Sequence, residues 1–141
     1  MAHVRDVAEK ILGELGPISA WKLQKLVYYS QAWHLVWDEE PLFESEIQAW
    51  ANGPVCRDLY DMHRRLFTVS SVRGKPDALT ASEEETVGAV LKFYNKFDGQ
   101  QLSDLTHKEK PWLNARKGLG EAERGENVIS HEALAEYYGS L

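Results

Sequence analysis

The residues that most often carry metal or nucleophilic chemistry are scattered along this sequence. No two of its histidines form an HxxxH or HxH pair, and its single cysteine has no cysteine partner. A zinc site needs three or four closely spaced Cys, His or carboxylate ligands. Glycine motifs of the GxxxxGK and GxGxxG kinds, which cradle phosphates, are absent as well. The sequence therefore predicts no metal site and no bound cofactor.

Cys56 is the one candidate nucleophile. It follows Pro54 at what we expect to be the first turn of a helix, where backbone N–H groups lower the pKa of a thiol. His34 or His63 is the candidate base. The competing interpretation, a small buried packing residue, is the commoner one for a free cysteine, and no signature of a cysteine enzyme surrounds it. We therefore predict no catalytic residue and no enzymatic activity.

The composition favours a protein-binding role over a nucleic-acid one. The chain has 141 residues, which fits a single domain over 1–141. Its net charge is −6, whereas phosphate backbones are bound mainly by Lys and Arg. Five Trp, six Tyr and four Phe supply area for a core or for contact with a partner protein. The single cysteine, and the lack of a signal peptide or a membrane-spanning stretch, predict a soluble cytoplasmic protein.

Charged residues are concentrated in two places. We interpret four neighbouring glutamates as a polar rim, or a landing site for a basic partner, rather than as an acid–base pair. A local excess of Arg and Lys occupies 57–77, but with little aromatic interleaving it is a poor nucleic-acid patch. The four glutamates are Glu39, Glu40, Glu44 and Glu46.

Hydrophobic spacing predicts a mainly α-helical chain. Apolar residues recur at helical spacing over 3–15 and again over about 20–37, where Ser19 offers an N-cap. Another helix is expected to begin after Thr80 or Ser82. Further helices are predicted over 54–67, 100–107, 111–118 and 130–139.

The second predicted helix has two different halves. Its first half carries Lys22, Gln24 and Lys25, which are expected to face solvent. From Leu26 onward it is apolar nearly all round, which is typical of a central, buried helix. Core packing is the expected role for most of its aromatic side chains, with one face left over for a partner. These side chains are Tyr28, Tyr29, Trp33 and Trp37.

A short strand precedes a sharp corner. Apolar and polar residues alternate over 43–50, which predicts a strand. We interpret residues 52–54 as a strand-to-helix corner, in which Gly53 supplies backbone freedom and Pro54 starts the next helix. Residues 68–79 are expected to pair with this strand. The predicted fold class is mainly α with a small two-stranded β element (α+β), in a single compact helical domain.

Three stretches together resemble a known family. They are KLQKLVYYSQAWHL (22–35), PLFESEIQAWANGPVCRDLY (41–60) and LSDLTHKEKPWLNAR (102–116). Their order and spacing are similar to those of the Panacea domain. This is the SocA-like antitoxin family, whose members are often labelled uncharacterised phage-associated proteins. The resemblance extends over about 22–138.

The resemblance implies a mainly helical antitoxin of a toxin–antitoxin pair, encoded beside its toxin, that neutralises this cognate protein toxin by direct binding. Two alternatives stay open. One is a proteolytic adaptor that delivers a toxin to an ATP-dependent protease, as in one branch of the family. The other is a phage accessory protein that binds a host factor. Some members carry an added DNA-binding segment, and none is expected here because the sequence begins almost at the domain itself.

The matching positions and the charge pattern together predict a partner-binding surface. Trp50, Tyr60 and Trp112 are expected as aromatic anchors, with an acidic rim that steers a basic toxin. Asn52 stands where the family is expected to vary, which indicates a surface particular to this protein. The competing interpretation of the aromatic residues is core packing. The predicted surface comprises Tyr28, Gln31, Glu44, Glu46, Trp50, Asn52, Tyr60, His107 and Trp112.

Overall fold

Seven α-helices and five short strands make up the computed structural model, which covers residues 1–141. The helices are α1 (Val4–Leu15), α2 (Ala20–Trp37), α3 (Arg57–His63), α4 (Ala81–Tyr94), α5 (Gly99–Thr106), α6 (Lys110–Ala115) and α7 (His131–Gly139). The strands are β1 (Ile18–Ser19), β2 (Ile47–Trp50), β3 (Gly53–Cys56), β4 (Thr68–Val69) and β5 (Val128–Ile129). The predicted fold class, mainly α with a small β element, is confirmed.

The helix starts follow from local capping. The Ser19 hydroxyl caps α2 by accepting a hydrogen bond from the Lys22 N–H at 3.1 Å. Of the two candidate caps of α4, Thr80 is the one used, in a reciprocal capping box with Glu83. None of the seven helices combines the length and the apolar character that crossing a bilayer requires.

Helix α2 is the centre of the packing. Helices α1, α4, α5 and α7 and strand β3 all lie against it. Its buried apolar side chains belong to one core of 31 buried residues, to which α1 adds Ile11 and α7 adds Leu134. Because each fully buried aliphatic side chain contributes about 1.5–3 kcal/mol, this core is the main source of stability. The prediction of a central buried helix is confirmed.

The strand pairing differs from the prediction. Strand β2 pairs antiparallel with β3 on one edge and with β5 on the other, so neither edge is free. Strand β4 pairs with β1 instead, and Ile18 lies opposite Val69. The expectation that 68–79 pairs with the strand predicted over 43–50 is therefore wrong. Alternation along the sequence indicates a strand, but the choice of its neighbour is set by segments far away along the chain.

Pro54 lies in strand β3 and not in the first turn of a helix. Trp50 is opposite Gly53, so residues 51–52 form a two-residue turn and β2 and β3 form a hairpin. Gly53 has a φ of 123°, in the left-handed region that favours glycine. The missing N–H of Pro54 is tolerated because β3 is an edge strand. The corner is therefore strand-to-strand, a correction to the predicted strand-to-helix corner.

Two glutamines of α2 act as hydrogen-bond partners for the backbone of other segments. Gln24 accepts from the Cys56 N–H at 2.9 Å and donates to the Cys56 carbonyl at 3.2 Å. Gln31, two helical turns later, accepts from the Leu42 N–H at 2.6 Å and donates to the Phe43 carbonyl at 2.8 Å. Both side chains are buried. They satisfy four backbone groups that have no water to bond to.

Replacing Gln31 by Leu is expected to lower the free energy of unfolding by about 2–4 kcal/mol, because the Leu42 N–H and the Phe43 carbonyl stay buried without partners. Urea unfolding followed by circular dichroism measures the change. The matched control is Gln100→Leu on α5, where the side chain is exposed and a change within about 0.5 kcal/mol is expected. Equal losses in the two variants would contradict the role assigned to Gln31.

Candidate partner-binding surface

The turn of the β2–β3 hairpin forms one wall of an open cleft, which we call the corner cleft. Its volume is about 310 Å³. Three of the predicted surface residues, Trp50, Asn52 and Tyr60, line it together, and the opposite wall comes from residues 122–126. The charged side chains of the lining are Arg57, Arg64, Arg124 and Glu126.

Trp50 and Tyr60 form the aromatic wall of the corner cleft. Their rings meet edge to face with centroids 4.9 Å apart. The Trp50 Nε1–H donates to Gln48 at 2.8 Å, and the Gln48 amide donates in turn to Glu46 at 3.1 Å. Gln48 and Trp50 of β2, and Glu46 directly before it, lie on one side because side chains alternate along an extended chain. The indole is therefore held in one orientation while it remains only half-buried.

Three arginines surround the aromatic wall. The guanidinium carbon of Arg57 lies 6.0 Å from the centroid of the Trp50 ring. The ion pairs of Arg57 are long, 3.4 Å to Asp61 and 3.7 Å to Glu126, and exposed pairs of this kind add little stability. The cleft thus offers positive charge in a chain whose net charge is −6. Two of these arginines belong to the stretch 57–77, where the sequence shows an excess of Arg and Lys. Arg124 is distant from Trp50 along the chain, and no local pattern places it here.

Three side chains donate hydrogen bonds to the backbone around the hairpin turn. They belong to Ser103 of α5, to Trp112 of α6 and to Arg116, which follows α6. Trp112 is buried, and its ring stacks on that of His107 with centroids 4.1 Å apart. It therefore supports the turn and is not presented to a partner, which corrects the prediction that it is an anchor. The bonds to the turn carbonyls are Trp112 to Trp50 at 2.8 Å, Ser103 to Asn52 at 2.6 Å and Arg116 to Ala49 at 2.9 Å.

Tyr28 and Gln31 are buried as well, and their predicted place on the surface is corrected. Gln31 bonds to the backbone as described above, and Tyr28 is 1% exposed. The Tyr28 hydroxyl lies 2.9 Å from that of Tyr138, which donates to Glu109 at 2.8 Å. Since the single hydroxyl proton of Tyr138 goes to the carboxylate, Tyr28 is the donor in their pair. Helical spacing cannot identify a free face on a helix that its neighbours cover completely.

The same carboxylate also receives a hydrogen bond from Tyr29 at 2.7 Å. Burial raises the pKa of Glu109, and its hydrogen bonds from Tyr29 and Tyr138 partly offset that rise. This network joins α2 to α7 and to the residue that precedes α6. It explains why these aromatic side chains are core residues although each ends in a polar group.

The remaining predicted residues lie near the corner cleft but outside it. Glu46 is exposed and connected to the cleft by the hydrogen bonds described above. Glu44 is exposed beside a separate shallow pocket that it forms with residues 1–4. His107 is half-buried and lines a groove on the other side of the turn, where Asn52 is a shared lining residue. Asn52 is therefore the point at which two depressions of the surface meet.

The geometry does not favour nucleophilic chemistry at Cys56. Burial raises the pKa of its thiol to about 11, so the thiolate is scarce at neutral pH. Both candidate bases have other partners: His63 lies 2.9 Å from the Gln24 amide, and His34 lies 2.8 Å from the Thr86 hydroxyl. No group of three or more His, Cys, Asp or Glu side chains converges as metal ligands would.

Lys25 and Gln24 were expected to face solvent, and both are buried. The Lys25 ammonium has no hydrogen-bond partner, and burial lowers its pKa to about 7. Burial is also the main cause that lowers the pKa of His63 and of His107, and the charge of Lys25 adds to it. Periodicity misplaced these side chains because the hairpin and α5 cover the first half of α2, a contact that the local sequence does not encode.

A family model described as "Antitoxin SocA-like, Panacea domain" matches residues 23–113. The matched segment contains most of α2, the whole β2–β3 hairpin and the beginning of α6. No curated protein matches the chain, and no solved structure matches it either.

Lys25 is expected to make the free energy of unfolding depend on pH. The unfolded chain keeps this lysine protonated up to its ordinary pKa of 10.5, whereas the folded chain releases the proton near pH 7. The unfolded state therefore binds more protons above pH 7, and stability rises there, by about 2 kcal/mol up to roughly pH 9. Below pH 7 both states are protonated, and this contribution is constant.

Urea unfolding across this pH range measures the effect. In Lys25→Met the rise is expected to disappear, whereas Lys22→Met, a half-buried lysine of the same helix, keeps it. The range ends near pH 9 because folding raises the pKa of the Cys56 thiol from its ordinary 9.0 to about 11, a contribution of opposite sign that cancels the further gain from Lys25. A wild-type stability that does not change between pH 7 and pH 9 would contradict the assignment.

Proposed function

The chain belongs to the family of SocA-like antitoxins with a Panacea domain, and on that premise we propose that it binds and neutralises a cognate protein toxin encoded beside it. The observation that supports direct binding is the corner cleft, where accessible aromatic and arginine side chains meet. We propose no catalytic role, in line with the buried thiol of Cys56. A cytoplasmic location is proposed from the single cysteine.

We propose that residues 1–141 act as one Panacea domain, although the family match covers 23–113. Helices α1 and α7 lie outside the match, and both pack on α2. Tyr138 of α7 also bonds to Glu109 inside the match. The matched segment alone would leave uncovered the parts of α2 that α1 and α7 pack against. The tyrosine network would also lose Tyr138.

Trp50 and Tyr60 are the proposed anchors for the toxin. Each ring is half-buried and already ordered by contact with the other. A partner that covers them therefore spends little conformational entropy on ordering side chains. Asn52 is exposed at the tip of the turn, where its amide can donate and accept.

The charges around the corner cleft suggest how a toxin is oriented. Arg57, Arg64 and Arg124 carry planar forks of N–H donors that match carboxylates. Glu44 and Glu46 both precede β2 and favour basic groups. A toxin segment fits this charge pattern when it places an acidic residue beside the arginines and a basic residue beside the two glutamates.

Trp50→Ala is expected to weaken the toxin complex by at least about tenfold, because a large, pre-ordered ring at an interface is a typical hot spot. Isothermal titration with the purified toxin measures this. The matched control is Trp37→Ala: that indole is 49% exposed at the C-terminal end of α2, away from the hairpin. Loss of binding in the control with retention in Trp50→Ala would place the interface elsewhere.

Co-expression with the neighbouring open reading frame tests the function itself. The neighbour is expected to be toxic alone and harmless beside this chain, with which it forms a complex. A harmless neighbour, or one that stays toxic without forming a complex, would refute the antitoxin role. The half-life of the toxin separates the adaptor alternative: an adaptor shortens it only when an ATP-dependent protease is present, and direct inhibition leaves it unchanged.

A further inference from the structure

A second depression lies on the other side of the hairpin turn, and we call it the His107 groove. Its volume is about 500 Å³. Trp21 and the 80%-exposed ring of Phe67 give it an apolar side, and Asn52, Ser103 and His107 give it a polar side. Apart from Asn52, no residue of the proposed toxin contact lines this groove.

The groove adjoins the two buried polar atoms of the chain that have no hydrogen-bond partner. They are the Lys25 Nζ and the His107 Nε2. Buried polar side-chain atoms are bonded in the large majority of cases, so each exception needs a reason. A lysine ammonium is the more demanding of the two, because it has three donors and no acceptor of its own.

Lys25 does not line the groove; its buried ammonium lies behind residues that do. Its Nζ lies 5.1 Å from the centroid of the Trp21 ring, and Trp21 lines the groove. On the other side it meets the backbone of Gly53, next to Asn52: a Cβ at Gly53 would lie 3.1 Å from the Nζ. The glycine therefore makes the room that the ammonium occupies, and any larger residue would displace it.

Two helix starts add further positive potential. The first residue of α5, Gly99, is packed against the start of α2, where a Cβ on it would lie 3.1 Å from the Ser19 hydroxyl. Helix N-termini favour anions. Asp98 lines the groove, and its carboxylate is already engaged as the cap of α5, 2.8 Å from the Gln101 N–H. Asp104 of α5 lies outside the lining and accepts from Gln100 at 3.0 Å. Neither accepts a hydrogen bond from Lys25.

We propose that the His107 groove is a carboxylate-binding site, in which a carboxylate is received beside His107 and neutralised by the ammonium of Lys25. In the complex, this carboxylate is the side chain of an aspartate or glutamate of the toxin, a step that rests on the proposed function. Asn52 lines both the groove and the corner cleft, so one partner can cover the tip of the turn and reach both sites.

The site has a characteristic pH dependence. The folded chain holds Lys25 about half protonated near pH 7, and a bound carboxylate favours the charged form. Binding therefore takes up a proton, and the affinity falls by up to about tenfold per pH unit above pH 7. The charged groups that act on His107 from its surroundings are Lys25, Asp104 and Arg116. His63 of α3 faces the same lysine.

The chain alone provides the first test. Sodium acetate replaces sodium chloride at constant ionic strength near pH 6, and NMR follows the side-chain signals of Lys25 and His107. A saturable shift of the His107 signals with acetate, absent in Lys25→Met, is expected. In the wild type, a pH titration is expected to give a higher pKa for Lys25 in acetate than in chloride. A response equal to that in chloride, or one that persists in Lys25→Met, would overturn the site.

The complex provides the second test. Lys25→Met is expected to weaken toxin binding about tenfold or more at pH 7 without lowering the stability of the chain, whereas Lys22→Met binds as the wild type does. Unchanged binding in Lys25→Met would overturn the assignment of the carboxylate to the toxin. Acetate binding with no toxin complex in any variant would instead refute the proposed function and leave the site in place.

Discussion

The structure depends on the requirement that every polar side chain of α2 find a partner inside the protein. Other elements cover most of this helix, so its buried polar groups cannot rely on water. Gln24 holds the end of β3, Gln31 holds the loop before β2, and Tyr29 bonds to Glu109. The central helix thus fixes the positions of segments that are distant in sequence. The apolar side chains of α2 stabilise the fold by their burial, and its polar side chains determine which segments of the chain pack beside the helix.

The accessible corner is a consequence of this arrangement. Gln24 anchors β3 on α2 at Cys56, and side chains of α5 and α6 hold the turn carbonyls from the opposite side. With both ends fixed, the tip of the hairpin has little freedom, and the Trp50 indole is presented in one orientation. Lys25 is the exception among the polar residues of α2, because its ammonium is buried without a partner. An unsatisfied charge of this kind lowers stability, which is why we connect it with binding.

Much of the fold could be predicted because the relevant signals are local. The bounds of α1 and α2 follow from apolar spacing and from the hydroxyl of Ser19, and the Thr80 capping box marks the start of α4. The hairpin was missed because Gly53-Pro54 is compatible with a helix start as well as with a tight turn. The pairing of β4 with β1 was missed because register between distant segments leaves no local pattern.

The candidate surface could be predicted only in part, for the same reason. Trp50, Asn52 and Tyr60 are near one another in sequence, and the hairpin brings them together. Arg124 joins them from another part of the chain, and nothing local indicates it. Tyr28, Gln31 and Trp112 were placed on the surface, yet they are buried. Whether a side chain that matches a family motif is accessible depends on which neighbours cover it.

Hydrogen–deuterium exchange of the chain, free and bound to its toxin, tests most directly whether the toxin binds at the corner cleft. In the complex, we expect backbone amides to gain protection mainly in residues 48–60 and 122–126, the two walls of the corner cleft. Exchange in α4 and α7 is expected to change little. Protection confined to α4 and α7, with exchange at the hairpin turn unaltered, would contradict this expectation.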